Sequence, residues 1–345
     1  MSSITNPLYG RRYRVTVATP GGDGNTNNVI TVTDSDNEPN SLRATFDIEQ
    51  RAFQVYWFAE IALYNLDQAT TDLLLGQQMQ NLEVTVSAGY VDGEYGIIWS
   101  GPVFQPLFER EGAIDFKITL RCILGLIEGS RNFINKTFAA QITQLELMQQ
   151  IADSAFTKIP LNSISSQVST KKLPRGKPVF GNPGKYFTAI AEDNNMQWWL
   201  DKKGLSLSFL NDDDIPNEPT ITFAPPLLPI PKTAGTAQTT PSNGVIVGTP
   251  EQTQYGVYFR ALLNPNVQIT RPYTAAKVDH SQIRKQKTQL GQVPTLLDQD
   301  GIYIVAGVRF LGDTRGNDWY VDVDGFTRSV AKTQLLQAIL ANTNQ

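Results

Sequence analysis

The stretch GIYIVAGVRFLGDTRGNDWYVDV, Gly301–Val323, has the clearest hairpin pattern in the chain. Before its polar centre, every second residue is apolar: Ile302, Ile304, Ala306, Val308 and Phe310. After the centre, the alternation resumes at Trp319, Val321 and Val323. A period of two places alternate side chains on one face of a strand, so the stretch predicts two antiparallel strands joined by GDTRGND. The glycine, aspartate and asparagine residues of this connection favour a tight turn with positive φ.

The same alternation recurs towards both ends of the chain. It is strongest in IDFKITLRC, Ile114–Cys122, which predicts a half-buried antiparallel strand. Shorter runs predict strands at Tyr13–Val17, Val29–Thr33, Leu42–Ile48, Gln54–Leu63, Leu82–Ala88, Ile97–Phe104, Gly244–Val247, Gly256–Leu263 and Val267–Ile269. Short strands separated by turn formers are typical of a barrel or a sandwich. Between them, Asp67–Met79 is predicted to form a helix with Leu73, Leu74 and Leu75 facing the sheet.

The middle of the chain has a different pattern. ITQLELMQQIADSAF, Ile142–Phe156, has apolar residues at helical spacing, and a second helix is predicted at Tyr186–Asn195. The stretch WWLDKKGLSLSFL that follows predicts a hairpin with its turn at Lys202–Gly204. We therefore expect Gly125–Leu210 to form a small α+β unit.

These patterns divide the 345 residues into four segments. We expect a first strand-rich domain at 1–124, an α+β insert at 125–215, a linker or extended arm at 216–243 and a second strand-rich domain at 244–345. The linker is rich in proline, which excludes regular ladder pairing. The last domain is expected to end in an amphipathic helix at Val330–Leu340.

The composition limits the classes of function. Hydrophobic residues make up 41% of the chain and charged residues only 18%, which favours burial of surface in an assembly. The net charge of -4 gives no bulk attraction to nucleic acid or anionic lipid. Cys122 is the single cysteine, so an intrachain disulfide is excluded. The first residues lack the apolar core of a signal peptide, and no stretch has the length of a membrane helix, so we expect a soluble chain without membrane insertion.

The sequence predicts no catalytic, cofactor or metal site. The single histidine, His280, lies in a polar stretch far from Cys122, which disfavours nucleophilic catalysis. The phosphate-loop spacing is not met, and no aspartate cluster fits a calcium loop, so GDTRGND is interpreted as a turn. Glu109 and Glu111 could form a carboxylate pair, but nothing supplies the opposite flank of a sugar cleft. A basic patch is interpreted as a solvated loop rather than an anion site: Lys171, Lys172, Arg175, Lys177 and Lys185.

Several motifs, in order, carry a family resemblance. They are Ala88-Gly89-Tyr90, Ile98-Trp99-Ser100-Gly101, a strand that ends at Cys122, NGVIVGTPEQTQYGVYFRALLNPNVQI from Asn243, and DGIYIVAGVRFLGDTRGNDWYVDV from Asp300. Each motif alone is weakly specific for a family. In combination and over most of the chain, the sequence resembles the baseplate hub proteins of contractile-tailed bacteriophages.

The resemblance implies a homotrimeric ring in the virion tail baseplate, assembled in the host bacterial cytoplasm. Each protomer would supply two barrels related to tail-tube subunits, giving a pseudo-sixfold face to the tube and a threefold face to the spike. The implied partners are the central spike protein, the tail tube protein and other baseplate proteins. Phage DNA would pass through the channel without specific binding, and an acidic balance suits a channel that must not hold DNA.

The resemblance also gives the connection of the hairpin a structural role. Its residues in this role are Gly312, Asp313, Arg315, Gly316, Asp318 and Trp319. The glycines are expected to set the turn, the aspartates to cap exposed N–H groups, and the tryptophan to anchor the hairpin. The arginine either reaches a carboxylate across an interface or stays exposed. The helix that carries Leu73, Leu74 and Leu75 is the candidate contact with a neighbouring subunit or tube ring.

Two alternatives stay open on the sequence. A distal tail or tube-initiator protein of a phage tail would share the barrel but assemble with sixfold symmetry. A tail-associated cell-wall glycan hydrolase would instead need a catalytic cleft and would clear a peptidoglycan suspension.

Overall fold

A computed structural model gives the structure of this chain. It describes residues 10–20, 26–34, 42–52, 56–76, 82–91, 93–112, 114–125, 132–194, 196–201, 204–208, 220–224, 244–269, 274–279, 283, 285–287 and 296–328. His280 and the helix predicted at Val330–Leu340 lie outside these residues, as does most of the linker predicted at 216–243.

We call residues 1–124 the first half of the chain. Seven strands and one helix occur in its described part. They are β1 (Arg11–Pro20), β2 (Thr26–Thr33), β3 (Ala44–Arg51), β4 (Trp57–Tyr64), α1 (Gln68–Gly76), β5 (Glu83–Tyr90), β6 (Tyr95–Glu111) and β7 (Asp115–Leu124). Their order in the sheet is β3-β4-β7-β6-β5-β1-β2. Alternate residues are buried along these strands, as in β3, where Ala44, Phe46 and Ile48 lie in the core. The predictions of strands and of a helix in this half are confirmed.

We call residues 216–345, which follow the insert, the second half of the chain. Its described strands close a barrel. They are β13 (Ile221–Ala224), β14 (Gly244–Thr253), β15 (Gly256–Leu262), β16 (Ala275–Val278), β17 (Lys285–Lys287), β18 (Ile302–Asp313) and β19 (Trp319–Phe326). Six of them follow in the order β16-β13-β14-β15-β19-β18, and a further pairing between β16 and β18 closes the ring. Phe223 and Phe259 meet in its core with ring centroids 4.8 Å apart.

Two expectations for this half were wrong. Val267 and Ile269 are buried, but the segment Val267–Ile269 is not a strand, because the N–H of Val267 turns back to the carbonyl of Asn264 at 3.2 Å. Within the predicted linker, Ile221–Ala224 is a barrel strand that pairs in parallel with β14 and β16. Its alternating Ile221 and Phe223 are buried, and the strand ends where Pro225 begins the proline-rich sequence.

Strand β18 belongs to both halves. Its start, Ile302–Ile304, pairs with β16 and closes the barrel. After an irregularity between Val305 and Gly307, the segment Gly307–Asp313 pairs with β3 of the first half. The described residues within Met1–Arg51, Ala59–Cys122 and Asp213–Leu335 consequently form one compact unit. The two strand-rich segments that the sequence separates into domains thus share one sheet.

The insert, within Ile123–Asp212, forms a second compact unit. Its elements are β8 (Ile134–Phe138), α2 (Gln144–Ser154), β9 (Leu161–Ile164), β10 (Lys177–Gly181), α3 (Pro183–Asp193), β11 (Gln197–Asp201) and β12 (Gly204–Ser208). Helix α2 begins at a capping box between Thr143 and Glu146, and α3 begins after the N-cap Asn182 with Pro183 in its first turn. Strand β10 pairs with β8, and the order of the other sheet is β11-β12-β9.

The mainly β fold with an α+β insert is confirmed, and one six-stranded barrel is closed. The trimeric, pseudo-sixfold arrangement stays a prediction. None of the helices in the described ranges has the length and apolar character needed to cross a membrane.

The closed barrel makes a stability prediction. Phe259 is 1% exposed, so Phe259→Ala leaves a cavity and should lower the free energy of unfolding by about 3–5 kcal/mol. Equilibrium urea denaturation measures this loss. The matched control is Phe58→Ala, because Phe58 lies on β4 with 45% of its surface exposed and should change the free energy by less than about 0.5 kcal/mol. Equal losses in both variants would contradict the assignment of Phe259 to a barrel core.

Candidate assembly site at the junction of the two halves

The motifs of the sequence meet around Trp319. This side chain is 2% exposed, and its indole Nε1 donates a hydrogen bond to the carbonyl of Gly89 at 3.2 Å. Its ring packs edge-on against Tyr13 and Phe46, with centroids 6.3 and 5.4 Å away. The carbonyl of Trp319 accepts from the N–H of Leu263 at 3.2 Å. Trp319 therefore lies between groups of the first half and strand β15. This strand runs into Leu262-Leu263-Asn264-Pro265, which we call the LLNP motif.

The glycines of these motifs are required by close approach. Neither Gly312 nor Gly316 has the positive φ that the sequence analysis expected, so that expectation was wrong. A Cβ on Gly312 would collide with the ring of Phe46, and one on Gly316 would collide with the carboxylate of Asp313. A Cβ on Gly89 would collide with the carbonyl of Glu94. The absence of a side chain lets backbone and ring pack directly at the junction.

Arg11 on β1 binds the hairpin loop, which we define as Asp313–Trp319. Its Nη1 donates to the carbonyls of Asp313 and Gly316, both at 2.6 Å, and its Nη2 donates to the carbonyl of Asn317 at 3.2 Å. The guanidinium also lies 5.3 Å from the centre of the Trp319 ring. The planar guanidinium group of Arg11 thus donates hydrogen bonds to three loop carbonyls that a tight turn leaves without backbone partners.

Asp313 forms the second connection. Arg43 donates to both carboxylate oxygens, Nε to Oδ1 at 3.2 Å and Nη2 to Oδ2 at 2.7 Å. The N–H of Arg315 donates to Oδ1 at 2.9 Å. Burial raises the pKa of Asp313, but the hydrogen bonds from Arg43 and from the backbone N–H groups of Arg315 and Gly316 outweigh burial, so the pKa lies below its ordinary value. The same hydrogen bond raises the pKa of Arg43.

The backbone of the loop continues the ladder to β3. The N–H of Thr314 donates to the carbonyl of Ala44 at 3.0 Å, and its Oγ1 accepts from the N–H of Ala44 at 2.9 Å. Asp318 contributes through its carbonyl, which accepts from the N–H of Asp313 at 2.8 Å, while its side chain is exposed. The predicted capping is thus observed for the Asp313 carboxylate, whereas Asp318 acts through its backbone. The Arg315 side chain is exposed.

A second set of contacts joins the LLNP motif and the residues just after it to the turn between β5 and β6 and to the start of β6. The amide Nδ2 of Asn266 donates to Glu94 Oε2 at 2.7 Å, and the amide Nε2 of Gln268 donates to the carbonyl of Ile97 at 2.9 Å. Pro265 lies against Gly96, where a Cβ would approach the proline ring to 3.3 Å. These side chains connect the two halves independently of the hairpin loop.

The sequence predicted the hairpin loop but not the two side chains that bind it, Arg11 and Arg43. It also did not predict the contacts of Asn266 and Gln268 with Glu94 and Ile97. One signal was available. A loop with several consecutive non-helical carbonyls needs donors, and arginine is the side chain that can serve several at once. Which arginine binds the loop carbonyls depends on the pairing of strands that are far apart in the sequence. Local sequence patterns do not contain this information.

The predicted contact helix has one buried and two exposed leucines. Leu74 is fully buried, whereas Leu73 and Leu75 are 44% and 39% exposed. The expectation that all three face the sheet was wrong, because consecutive residues on a helix point about 100° apart. Of these three leucines, Leu73 and Leu75 are exposed and available to a partner.

Within the described ranges, no three histidine, cysteine, aspartate or glutamate residues are close enough to hold a metal ion. Cys122 is buried, and burial raises the pKa of its thiol. The hydrogen bonds and packing of the junction position the two halves rigidly.

Comparisons with known proteins bear on the fold. No protein-family model matches the sequence, and no curated protein matches it. A chain of the lidded Francisella PdpA–VgrG complex is similar, with a TM-score of 0.51 and 8% identity over 94% of this chain and 54% of that one. A tail protein from Neisseria meningitidis MC58 has a TM-score of 0.48 and 13% identity over 93% of this chain and 98% of that one. The 43 kDa tail protein of prophage MuSo2 from Shewanella oneidensis has a TM-score of 0.48 and 9% identity over 92% and 98%.

The Asp313 ion pair gives a pH-dependent prediction. Asp313→Asn should lower the free energy of unfolding at neutral pH by about 1–2 kcal/mol, because Arg43 loses a charged acceptor. Since the pKa of Asp313 is lower in the folded chain than in the unfolded chain, this contribution is complete above the unfolded value of about 3.9 and is lost as the pH falls through the folded value. Urea denaturation at several pH values measures the difference between wild type and variant, which should shrink in acid.

Asp318→Asn is the matched control, because it changes an exposed carboxylate of the same loop. It should alter the free energy of unfolding by less than about 0.5 kcal/mol at every pH. A difference for Asp313→Asn that stays constant down to pH values well below the unfolded pKa would contradict the role of its charge.

Trp319 gives a graded prediction. Trp319→Ala removes a buried ring and should cost about 3–5 kcal/mol of unfolding free energy. Trp319→Phe keeps an aromatic ring but loses the hydrogen bond to Gly89, and should retain part of the stability. Equilibrium denaturation of both variants tests the anchor role. Losses of less than about 1 kcal/mol in the alanine variant would contradict it.

Proposed function

We propose that this chain is a baseplate hub protein of a phage tail. Three copies form a ring that joins the sixfold tail tube to the threefold central spike, and phage DNA passes through its channel. The partners are the spike protein, the tube protein and other baseplate proteins, in a virion assembled in the host cytoplasm. The role is mechanical, and the chain contributes a stiff collar.

One observation carries the proposal: two sheet-built halves share strand β18 and are locked at the hairpin loop. A trimer can match a sixfold tube only if each protomer presents two tube-like elements in a fixed relation. Arg11 and Arg43 reach across to the loop from the first half, and Asn266, just after the LLNP motif, makes a separate contact with Glu94. Both supports limit relative motion of the halves, as a collar under load requires.

Helix α1 is the proposed contact with a neighbouring subunit or tube ring. Leu74 and Thr71 fix the helix to its own chain, which leaves Leu73 and Leu75 exposed. Exposed leucines on a helix whose opposite side is anchored can be buried by a partner without refolding. Burial of these leucines would contribute to ring or tube assembly.

Native mass measurement of the purified chain tests the proposal. We expect a species of three chain masses. A species of six chain masses would favour the distal tail or tube-initiator alternative, and a single chain mass at assembly concentrations would contradict the hub. Clearing of a peptidoglycan suspension by the purified protein would favour the glycan hydrolase instead.

Paired variants test the contact helix. Leu73→Asp with Leu75→Asp should lower the fraction of ring, or of ring joined to tube, at least about tenfold, because a buried carboxylate without a partner is unfavourable. Phe156→Asp is the control, since Phe156 is 91% exposed on the insert. Unchanged ring formation and tube joining in the double variant, with a wild-type circular dichroism spectrum, would exclude α1 as the contact.

A further inference from the structure

A row of alternating charges crosses four strands of the larger unit. The register places Arg260 of β15 opposite Asp322 of β19, Asp322 opposite Arg309 of β18, and Arg309 opposite Glu49 of β3. We define these four residues, Arg260, Asp322, Arg309 and Glu49, as the charge row. It runs from the barrel into the first half across the shared strand β18.

Each arginine of the row is held by carboxylates. Arg260 donates to both oxygens of Asp322 at 2.6 and 2.9 Å, and Arg309 donates to both oxygens of Asp47 at 2.7 and 2.5 Å. Arg51 beside the row contacts Glu49 at 2.5 Å and Asp324 at 3.7 Å. Bidentate pairs of this kind fix the guanidinium plane as well as the charge.

The pairing continues along the same side of the sheet. Arg121 of β7 contacts Glu60 of β4 at 2.8 Å, and Lys117 of β7 contacts Glu109 of β6 at 3.1 Å. The other side of these strands is buried, so we define this side as the outer face. Its cations are partly or fully exposed, whereas Asp322 is only 7% exposed. In the described part of β3, β4, β7, β15, β18 and β19, each cation on the outer face is thus ion-paired.

The insert has a different arrangement of cations. Lys171, Arg175 and Lys185 are exposed, and none forms an ion pair with a described residue. Complete pairing is therefore a property of the outer face and not of the chain in general. The face also differs from a protein-docking surface, because interface centres are depleted of charged residues, whereas this face carries a continuous row of four.

We propose that the outer face is the surface along which duplex DNA passes, and that its ion pairs keep every arginine from holding phosphate. This inference rests on the proposed function and names the surface that faces the channel. Free arginines on such a path would release counterions from DNA and bind it, whereas arginines already paired with carboxylates offer no net charge to the phosphates. The pairs also favour the observed register, since a shift by one residue would turn the charged side chains to the buried side of the sheet.

Removal of the carboxylates tests the inference with a labelled duplex. The triple variant Asp47→Asn, Glu49→Gln and Asp322→Asn removes the carboxylates that hold Arg309 and Arg260 and leaves Arg51 with Asp324 alone. Fluorescence anisotropy should show no saturable binding for wild type and clear binding for the variant. With two phosphate contacts per protomer, the affinity of the variant should fall about 12-fold between about 50 and about 200 mM salt.

Two further variants keep the result interpretable. Asp47→Asn with Glu49→Gln changes only residues that are about 40% exposed, so it retains the fold and should bind with a smaller salt dependence. Asp153→Asn, Glu192→Gln and Asp193→Asn make the same change of net charge on exposed positions of the insert. Equal binding by this control, binding by wild type, or no binding by either outer-face variant would overturn the inference.

Position in the assembled particle is tested by cross-linking. Because Cys122 is the only cysteine and is buried, Phe58→Cys can be labelled selectively with a benzophenone on the outer face. In particles halted during DNA release, this label should cross-link to DNA, whereas a label at Thr137→Cys on the exposed side of β8 should not. A ring of three chain masses without cross-linking from position 58 would overturn the inference and leave the proposed function. Absence of the ring would overturn both.

Discussion

The hydrogen-bond ladder between β18 and β3 is the constraint on which the larger unit depends. Seven residue pairs, from Gly307 with Arg51 to Asp313 with Thr45, join a strand of the closed barrel to the sheet of the first half. The start of the same strand closes the barrel through β16. Because one strand cannot shift its register against one neighbour without shifting against the other, the position of each half is fixed by the other.

The junction stabilises the end of this ladder. The ring of Phe46 fills the space that Gly312 leaves, and Trp319 packs against that ring. Arg11 and Arg43 bind the loop from the first half. These contacts combine aromatic packing, a bidentate ion pair and hydrogen bonds to backbone carbonyls. Such mixed contacts are strongly directional, so they hold a geometry more firmly than apolar packing alone. A collar that transmits force between a tube and a spike would benefit from that rigidity.

Local patterns in the sequence predicted much of the fold. Period-two alternation gave the strands of both halves, including the hairpin around GDTRGND, and helical spacing gave the helices of the insert. The pairing of β18 with β3 could not be predicted, because it joins residues about 260 positions apart and leaves no local periodicity. For the same reason Arg11 and Arg43 were missed. Gly312 was recognised as special for the wrong reason, since it makes room for a ring and does not adopt positive φ.

Native-state hydrogen exchange, read residue by residue, tests the coupling of the two halves most directly. We expect the protected amides of β18 to share one free energy of opening, equal to that of global unfolding, both in Ile302–Ile304 beside β16 and in Gly307–Asp313 beside β3. Exchange of the second segment through a smaller opening, while the barrel stays protected, would show that the halves separate independently and would contradict a rigid double element in each protomer.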